Sequence, residues 1–206
     1  MNGIGCPLIV SVLSMALLAS GYTIYRLRQQ TGHHEVQLKK MEEIASIDSL
    51  TLVYNRHMLD DLLKKQVAIA ERYRQFFSII FFDIDDYKII NDRYGHDVGD
   101  EVLVGLSGLV THSMRESDIF GRWGGDEFLI ILPESTQKQA ARLVELLKER
   151  IDQYLFPKGK KVSCTFGIAA YEVGDTTQTI LKRADECLYT SKMQRKASRS
   201  NRTSSR

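Results

Sequence analysis

The chain has 206 residues, enough for one domain of ordinary size with short additional segments. Its formal net charge is +2, but residues 194–206 hold five basic residues and no acid, so the remainder has 23 bases against 26 acids and a charge of −3. This balance excludes a basic nucleic-acid-binding surface on the main body, and the three cysteines show no spacing typical of a zinc site.

An uncharged apolar stretch covers residues 7–25, and residues 1–25 are predicted to form an N-terminal transmembrane helix. Nineteen residues reach about 28 Å as a helix, close to the thickness of a bilayer core. No Lys or Arg precedes the stretch, whereas Arg26 and Arg28 follow it, which favours a single pass with the C-terminal part in the cytoplasm. A cleaved signal peptide is the alternative. With so few residues before the stretch, no external sensor domain is expected.

Residues 26–47 are predicted to form a helical linker. A near-heptad spacing joins Leu27, Thr31, His34, Leu38, Met41 and Ala45. Because two of these seam positions are polar and the repeat covers only about three heptads, a weak coiled coil and a plain helical linker are equally supported.

After Asp48 the pattern alternates between helices and strands. The predicted helices cover residues 55–73, 99–114, 137–153 and 177–192, and the predicted strands cover residues 76–83, 119–123, 128–132 and 161–171. This βαββαβ order predicts an α/β fold of the α+β type, in which helices flank a sheet that contains antiparallel strands. Residues 197–206, rich in Ser, Arg and Lys, are predicted to be a basic disordered tail.

The predicted strand at 76–83 is apolar and aromatic up to Phe82, apart from Ser78, so it should be buried on both faces of the sheet. Asp83 and Asp85 begin where this strand ends, and Lys88 follows five residues after Asp83. Acids at the end of a buried strand are well placed to hold a divalent cation, and Lys88 is close enough to meet a phosphate on the same ion. The alternative is that the Asp-rich loop only caps a helix.

Gly124 and Gly125 separate two predicted strands, which indicates a tight hairpin, because glycine reaches positive φ without steric cost. Asp126 and Glu127 lie at or just after its tip. Since a turn needs only polarity, two adjacent carboxylates indicate a charged ligand, most simply a metal ion. The alternative is a solvated hairpin whose acids prevent aggregation at the sheet edge.

Together these motifs resemble the GGDEF family of diguanylate cyclases over residues 48–196. The matching residues are Asp48-Ser49-Leu50-Thr51, Asn55-Arg56, Asp83-Ile84-Asp85, Lys88, Asn91-Asp92, Gly95-His96, Gly99-Asp100, Arg122, Gly124-Gly125-Asp126-Glu127-Phe128, Phe166-Gly167-Ile168-Ala169, Ala184-Asp185, Leu188-Tyr189 and Lys192. Several such matches in the family's order leave little room for chance. The departures are Leu52 for glycine, Val53 for leucine, Trp123 for tyrosine, and Arg195-Lys196-Ala197 for Gly-Arg-Asn. The resemblance implies a sheet like the palm of class III nucleotidyl cyclases and polymerases.

The resemblance also implies a reaction, in which two GTP molecules are joined into cyclic di-GMP with release of two pyrophosphates. It assigns the binding of two Mg²⁺ per active site, with Mn²⁺ as the alternative ion, to Asp83, the Ile84 carbonyl, Asp126 and Glu127. Asp126 would also accept the hydroxyl proton, supported by Glu127, and Lys88 would stabilise charge on the phosphates.

Further residues match the family's GTP-binding positions. Lys192 and Lys196 would reach the terminal phosphates, although a lysine at 196 loses the bidentate fork of the family's arginine. Asn91, His96 and Asp100 match the guanine-side positions, where an amide and a carboxylate can pair with the N1 and N2 hydrogens. A helix cap or a loop turn is the alternative for Asn91 and Asp100.

Arg115 and Asp118 match the family's RxxD product-inhibition site, with a helix-end charge pair as the alternative. One GTP per domain implies a homodimer, which an anchor in the bacterial inner membrane would favour by raising the local concentration of the second domain. The family's product commonly governs motility and biofilm formation. A non-catalytic sensor of GTP or cyclic di-GMP, and a membrane interaction protein, are the competing functions. Retention of all the motif acids favours the enzyme.

Overall fold

The computed structural model describes Met15, Gly21, Tyr22 and residues 46–203, and the chain divides into two units, Met1–Ala45 and Ser46–Arg206. In the first unit Met15, Gly21 and Tyr22 are helical. The rest of the predicted transmembrane helix at 1–25 and the linker up to residue 45 lie outside the described residues. Among the residues that are described, no helix is both long and apolar enough to cross a membrane.

The second unit is built on one antiparallel sheet. In chain order its elements are α1 (Arg56–Tyr73), β1 (Phe77–Ile84), α2 (Tyr87–Tyr94), α3 (His96–Thr111), β2 (Ile119–Arg122), β3 (Glu127–Pro133), α4 (Gln137–Gln153), a short 3₁₀ turn (Pro157–Gly159), β4 (Cys164–Ala170) and α5 (Thr177–Thr203). The strand order is β2-β3-β1-β4, with every neighbouring pair antiparallel. The predicted α+β fold, with helices flanking an antiparallel sheet, is confirmed.

Two helices lie between β1 and β2, where the sequence predicted one at 99–114. Gly95 separates them with φ of 87°, a left-handed conformation that glycine reaches without a Cβ clash, and α3 therefore begins at His96. None of the residues of α2 is fully buried, although Tyr87 and Ile90 pack against the core, and the helix is only eight residues long. That is why hydrophobic periodicity did not reveal it.

Side-chain caps set the starts of α1 and α4. Asn55 Oδ1 accepts a hydrogen bond from the Met58 amide at 2.9 Å, so α1 begins at Arg56 rather than at Asn55. Thr136 and Gln139 form a reciprocal capping box, in which Gln139 Oε1 accepts from the Thr136 amide at 2.8 Å. The predicted bounds of α4, 137–153, are confirmed.

The last helix, α5, continues to Thr203, well past its predicted end at Lys192. The prediction of a disordered tail from residue 197 onward is therefore wrong for residues 197–203. Residues 194–203 contain no Gly or Pro. A helix already anchored on the core by Ile180, Ala184 and Leu188 can extend through such a segment without a new nucleation cost.

Strand β1 is buried on both faces, as predicted. On one face Phe82 stacks on Phe128 and Phe166, with ring centroids 5.3 and 5.0 Å away, in a core completed by α3 and α4. On the other face Phe77, Ile79 and Phe81 pack in a core completed by α1 and α5. A strand enclosed by two helix layers holds the acids at its C-terminal end in fixed positions.

The turn that precedes α1 holds Leu52 at φ 57°, and this side chain is 76% exposed. A non-glycine residue in the left-handed region costs about 1 kcal/mol. The conformation explains why the resembling family uses glycine at this position, and shows that the leucine is accommodated there by exposure rather than by packing.

Candidate active site

A cavity of about 260 Å³ opens at the C-terminal end of β1. Its lining consists of Asp83, Ile84, Asp85, Asp86, Tyr87, Lys88, Asp126, Lys192, Arg195 and Lys196. Six of these were predicted as site residues from the sequence: Asp83, Ile84, Lys88, Asp126, Lys192 and Lys196. Residues that are up to 113 positions apart in the chain therefore line the same cavity.

The strand register brings the two acidic motifs together. Asp83 pairs with Glu127 across the β1–β3 ladder, and the Ile84 amide donates to the Asp126 carbonyl at 3.3 Å. On the other side of β1, Asp83 pairs with Thr165 of β4. The hairpin tip and the end of β1 therefore form a continuous edge, with Asp126 beside Ile84.

The hairpin tip is held by Arg122 rather than by glycine backbone geometry. The predicted hairpin is present, with β2 and β3 antiparallel, but neither Gly124 nor Gly125 adopts positive φ. The Arg122 guanidinium instead donates to the carbonyl oxygens of Gly124, at 3.2 Å, and Gly125, at 2.7 Å. A Cβ on Gly124 would stand 2.8 Å from Glu127 Oε2, whereas the space around Gly125 is open among the described residues.

Asp48 anchors Arg122 from the opposite side. Its carboxylate accepts hydrogen bonds from the Thr51 hydroxyl at 2.7 Å and from Arg122 Nη1 at 3.3 Å. Burial alone would raise the pKa of Asp48, but the hydrogen bonds from Thr51 and the charge of Arg122 lower it overall. In the sequence, Asp48, Thr51 and Arg122 matched the family's motifs but had no assigned role. In the structure they hold the hairpin tip in place.

Two cations from α5 meet the carboxylates at the end of β1. Lys192 forms an ion pair with Asp83, and Arg195 forms one with Asp85. Asp85 Oδ1 also accepts from the Thr165 hydroxyl at 2.6 Å. Each carboxylate keeps one buried oxygen, Asp83 Oδ1 and Asp85 Oδ2, that has no hydrogen-bond partner in the part of the chain that the structure describes.

The two buried oxygens without partners among the described residues are suited to bind the divalent ions that the sequence predicts. Carboxylate oxygens together with a backbone carbonyl at Ile84 are the donors that Mg²⁺ prefers, and Mg²⁺ commonly takes only a few protein ligands beside substrate phosphates. Over residues 46–203, no group of three or more His, Cys, Asp or Glu side chains is arranged to hold a metal by itself. The residues therefore fit an ion that is shared with a bound nucleotide.

Burial raises the pKa of Asp83 to about 6. The ion pair with Lys192 opposes this rise, while the neighbouring Asp126 and Asp85 add to it. The ionised form of Asp83 is therefore costly in the folded, metal-free protein. Such a group is typical of a site whose charge is completed by a ligand.

We expect Asp83→Asn to raise the melting temperature of the metal-free protein at pH 7.5 by about 2–4 °C, the shift that about 1 kcal/mol gives in a domain of this size. The pKa of Asp83 is about 6 in the folded protein and 3.8 in the unfolded chain. Its stabilising contribution is therefore present below pH 4 and is lost as the pH rises through 6. The gain from the variant should be small at pH 4.5 and nearly complete at pH 7.5.

Melting curves recorded in EDTA across this pH range check the expectation. Asp152→Asn is the matched control, because the Asp152 side chain is 75% exposed and its pair with Lys161 spans 3.7 Å. A variant at Asp83 that is less stable than wild type at pH 7.5, or equally shifted at both pH values, would contradict the assignment.

The remaining predicted residues lie around the cavity rather than in its lining. Glu127 faces Asp83 in the register, but its carboxylate lies against Gly124. The Asn91 amide hydrogen-bonds the hydroxyl of Tyr87, a cavity residue whose pKa is raised by burial. Asp100 also acts electrostatically on this hydroxyl and raises its pKa. His96 is exposed at the start of α3.

Arg115 and Asp118 close a tight turn between α3 and β2. The Asp118 carboxylate accepts from the Arg115 amide at 2.9 Å, and the Asp118 amide donates to the Arg115 carbonyl at 3.1 Å. Both residues line a second cavity of about 310 Å³ together with Arg142 of α4. The Arg115 side chain is exposed, and β2 leads directly from this turn to the hairpin tip.

Arg195 and Tyr87 are site residues to which the sequence assigned no role. Asp85 was predicted, with Asp83, as an acid at the end of β1, but its pairing with Arg195 was not. Arg195 carried no such signal, because it stands where the resembling family has glycine. Only the packing of α5 on β4 and β1 brings it to Asp85.

Comparison with known proteins agrees with this geometry. Residues 45–198 match the family model described as "Diguanylate cyclase, GGDEF domain". The chain is 34% identical over 194 residues to the bifunctional diguanylate cyclase/cyclic di-GMP phosphodiesterase MucR of Pseudomonas aeruginosa, covering 93% of this chain and 27% of that protein. It is 35% identical over 156 residues to a diguanylate cyclase of Vibrio cholerae, covering 75% of this chain and 49% of that protein. The chain thus spans about a quarter to a half of the length of these relatives.

Solved structures share the fold. The GGDEF domain of DgcB from Caulobacter crescentus, in complex with c-di-GMP, superposes with a TM-score of 0.70 at 27% identity, covering 72% of this chain and 91% of that one. The active GGEEF domain of a diguanylate cyclase from Vibrio cholerae gives a TM-score of 0.65 at 34% identity, with coverage of 68% and 91%.

Proposed function

Because the chain belongs to the GGDEF diguanylate cyclase family, we propose that it condenses two GTP molecules into cyclic di-GMP and releases two pyrophosphates. The observation that carries the proposal is the single cavity shared by Asp83, Asp126, Lys88 and Lys192. It combines carboxylates for divalent ions with ammonium groups for phosphates, which is the pairing that nucleotidyl transfer requires.

In this mechanism the side chains mainly position and neutralise. Asp126 accepts the proton of the attacking 3′-hydroxyl, and Lys88 stabilises charge on the phosphate under attack. Lys192, which pairs with Asp83 here, lies close enough to contact the terminal phosphates when Asp83 takes another partner. Asp83, the Ile84 carbonyl and Asp126 would hold the Mg²⁺ ions, which would neutralise charge on the phosphate oxygens.

Guanine selection is proposed for Asn91 and Asp100, with His96 beside them. The hydrogen bond of Asn91 to Tyr87 and the electrostatic effect of Asp100 on the same hydroxyl support it, because Tyr87 also lines the phosphate cavity. A guanine bound at Asn91 and Asp100 would lie next to the cavity that holds its triphosphate. An amide and a carboxylate left without partners would disfavour adenine.

A homodimer is proposed as the active species. The cavity provides one set of carboxylates and ammonium groups among the described residues, so each domain would hold one GTP and two domains would face each other. The same reasoning requires that a dilute, isolated domain be a weak enzyme.

The function is tested by incubating the purified protein with GTP or with ATP in the presence of Mg²⁺ and measuring product masses. We expect conversion of GTP to cyclic di-GMP and no product from ATP. GTP binding without conversion would favour the competing function, a sensor module. A protein beginning at Ile44 that still makes product would exclude a function that depends only on a membrane segment.

We also propose a single-pass location in the bacterial inner membrane with the catalytic domain in the cytoplasm, where GTP is found. The apolar stretch at 7–25 and the following Arg26 and Arg28 support it. An alkaline phosphatase fused to the C-terminus, which is active only in the periplasm, should be inactive. An active fusion, or a mature protein that starts after Ala19, would contradict the topology.

Product inhibition through Arg115 and Asp118 is proposed as well. The second cavity supports it by joining Arg115 to Arg142, two guanidinium groups able to clamp phosphates bidentately and to stack on guanine. Because β2 runs from this turn to the hairpin tip, product bound here would restrain the tip. Coupling of about 1–3 kcal/mol is typical of such allostery.

Arg115→Ala should leave the initial rate of synthesis nearly unchanged and raise the final product level by about fivefold or more, the factor that such coupling provides. The arginine is the cleaner variant, because the Asp118 carboxylate also closes the turn. Progress curves at saturating GTP check this, with Lys138→Ala, an exposed cation on α4, as the control. Equal final product levels in wild type and both variants would show that Arg115 does not bind product and is only a charge at the end of a helix.

A further inference from the structure

Three cations of α5 line the cavity, and they differ in how firmly they are held. Lys192 and Arg195 are one helical turn apart and both point to the end of β1. Lys196 also lines the cavity, but it is exposed and makes no ion pair within residues 46–203. Lys196, which stands where the family has arginine, is therefore the cation with the fewest protein contacts of the three.

Arg195 is fixed on two sides. One guanidinium nitrogen, Nη1, pairs with the Asp85 carboxylate, which is itself only 3% exposed and bonded to the Thr165 hydroxyl. The other, Nη2, donates to the Ser163 hydroxyl at 3.0 Å and lies 3.5 Å from Asp86 Oδ2. These contacts orient the planar group at the cavity wall while 27% of the side chain stays exposed.

We propose that Arg195 binds the terminal phosphates of GTP, with Asp85 and Ser163 as the residues that position it. The inference rests on the proposed function, since it names a ligand of the same cavity. A guanidinium offers five N–H donors in a rigid fork, so its three contacts, with Asp85, Ser163 and Asp86, still leave donors for a phosphate. A prepositioned fork also loses less conformational freedom on binding than the exposed ammonium group of Lys196.

In this chain the arginine of α5 therefore stands one position earlier in the sequence than the arginine of the family. Lys196 stands at the position of the family's arginine without its fork, and Arg195 stands where glycine is usual. The competing explanation is that Arg195 only neutralises the buried Asp85 carboxylate. The two explanations predict different effects on nucleotide affinity. An arginine that binds the terminal phosphates affects only nucleotides that carry them, whereas a purely structural arginine would affect every guanine nucleotide equally.

The test is calorimetric titration, with Mg²⁺ present, of an unreactive GTP analogue that has a methylene bridge between the α- and β-phosphates, and of GMP. Arg195→Ala should weaken binding of the analogue about tenfold or more, as expected for charged hydrogen bonds. Its affinity for GMP should stay within about twofold of wild type. Arg195→Lys should lie between, and Lys196→Ala should weaken analogue binding less than Arg195→Ala does. The control is Lys182→Ala, a cation on α5 that is 76% exposed and lies outside the cavity lining, and it should change analogue binding less than about twofold.

Unchanged analogue binding by Arg195→Ala would overturn the inference. Equal losses for the analogue and GMP, accompanied by a lower melting temperature, would also overturn it and leave Arg195 a structural partner of Asp85. A wild-type protein that binds neither nucleotide would overturn the proposed function itself, and the inference with it. The wild-type titration therefore separates failure of the function from failure of the residue assignment.

Discussion

Replacing Asp126 with asparagine should lower the rate of cyclic di-GMP synthesis by about a thousandfold or more. The carboxylate lines the cavity with Asp83 and is the group proposed to accept the hydroxyl proton. Losing a general base costs about 10²–10⁴ in rate, and losing charge stabilisation at the reacting phosphate costs about 10²–10³. Asparagine keeps the shape of the side chain but supplies neither function.

The fold should survive this change, because Asp126 is only partly buried and its backbone carbonyl makes the contact with the Ile84 amide. We expect a melting temperature within about 2 °C of wild type, a shift below 1 kcal/mol. Asp152→Asn, an exposed carboxylate on α4, serves as the control and should retain full activity. A folded Asp126→Asn protein with a near-normal rate would show that catalysis does not depend on this carboxylate.

The largest effect on stability is expected from Gly167→Ala in β4. A Cβ at this position would stand within 3.0 Å of the Ala184 carbonyl oxygen and of the Leu188 amide nitrogen and Cβ. Because the first two are backbone atoms of α5, no rotamer change relieves the clash, and the helix must move off the sheet. We expect a loss of about 3 kcal/mol and a fall in melting temperature of about 6–12 °C.

Gly108→Ala on α3 is the matched control, since none of the described residues lies within 4 Å of its added Cβ. Alanine in an open helical position should stabilise the protein by about 0.5–1 kcal/mol. The same displacement of α5 that destabilises the Gly167 variant would also withdraw Lys192 and Arg195 from the cavity. Denaturant titrations in which both variants match wild type would contradict the close packing of β4 on α5.

The elements that could be predicted from the sequence are those with strong local signals. Strand β1 was recognisable because its residues are apolar on both faces, and α4 because Thr136 and Gln139 form a capping box before an amphipathic stretch. Helix α2 has only eight residues and none of them is fully buried, so it is too short for hydrophobic periodicity to identify it. The end of α5 was missed because a basic, serine-rich composition indicated disorder, whereas the anchored helix simply continues.

The cavity was predictable in outline, because Asp83 and Asp126 each stand at the end of a recognisable strand or turn. What could not be predicted are the partners that tertiary packing supplies. Arg195 meets Asp85 from 110 positions away, and Arg122 reaches Asp48 across 74 positions. The conformation of the hairpin was also misjudged, because its glycines were expected to shape a turn that Arg122 holds instead.

The central claim is most directly tested by counting pyrophosphate released per cyclic di-GMP formed from GTP and Mg²⁺. A cyclase that forms two phosphodiester bonds between two GTP molecules should release two pyrophosphates for each cyclic product, and the Asp126→Asn protein should release almost none. Pyrophosphate or phosphate release without cyclic di-GMP, or GTP bound and recovered unchanged by the wild-type protein, would contradict the assignment of this chain as a diguanylate cyclase.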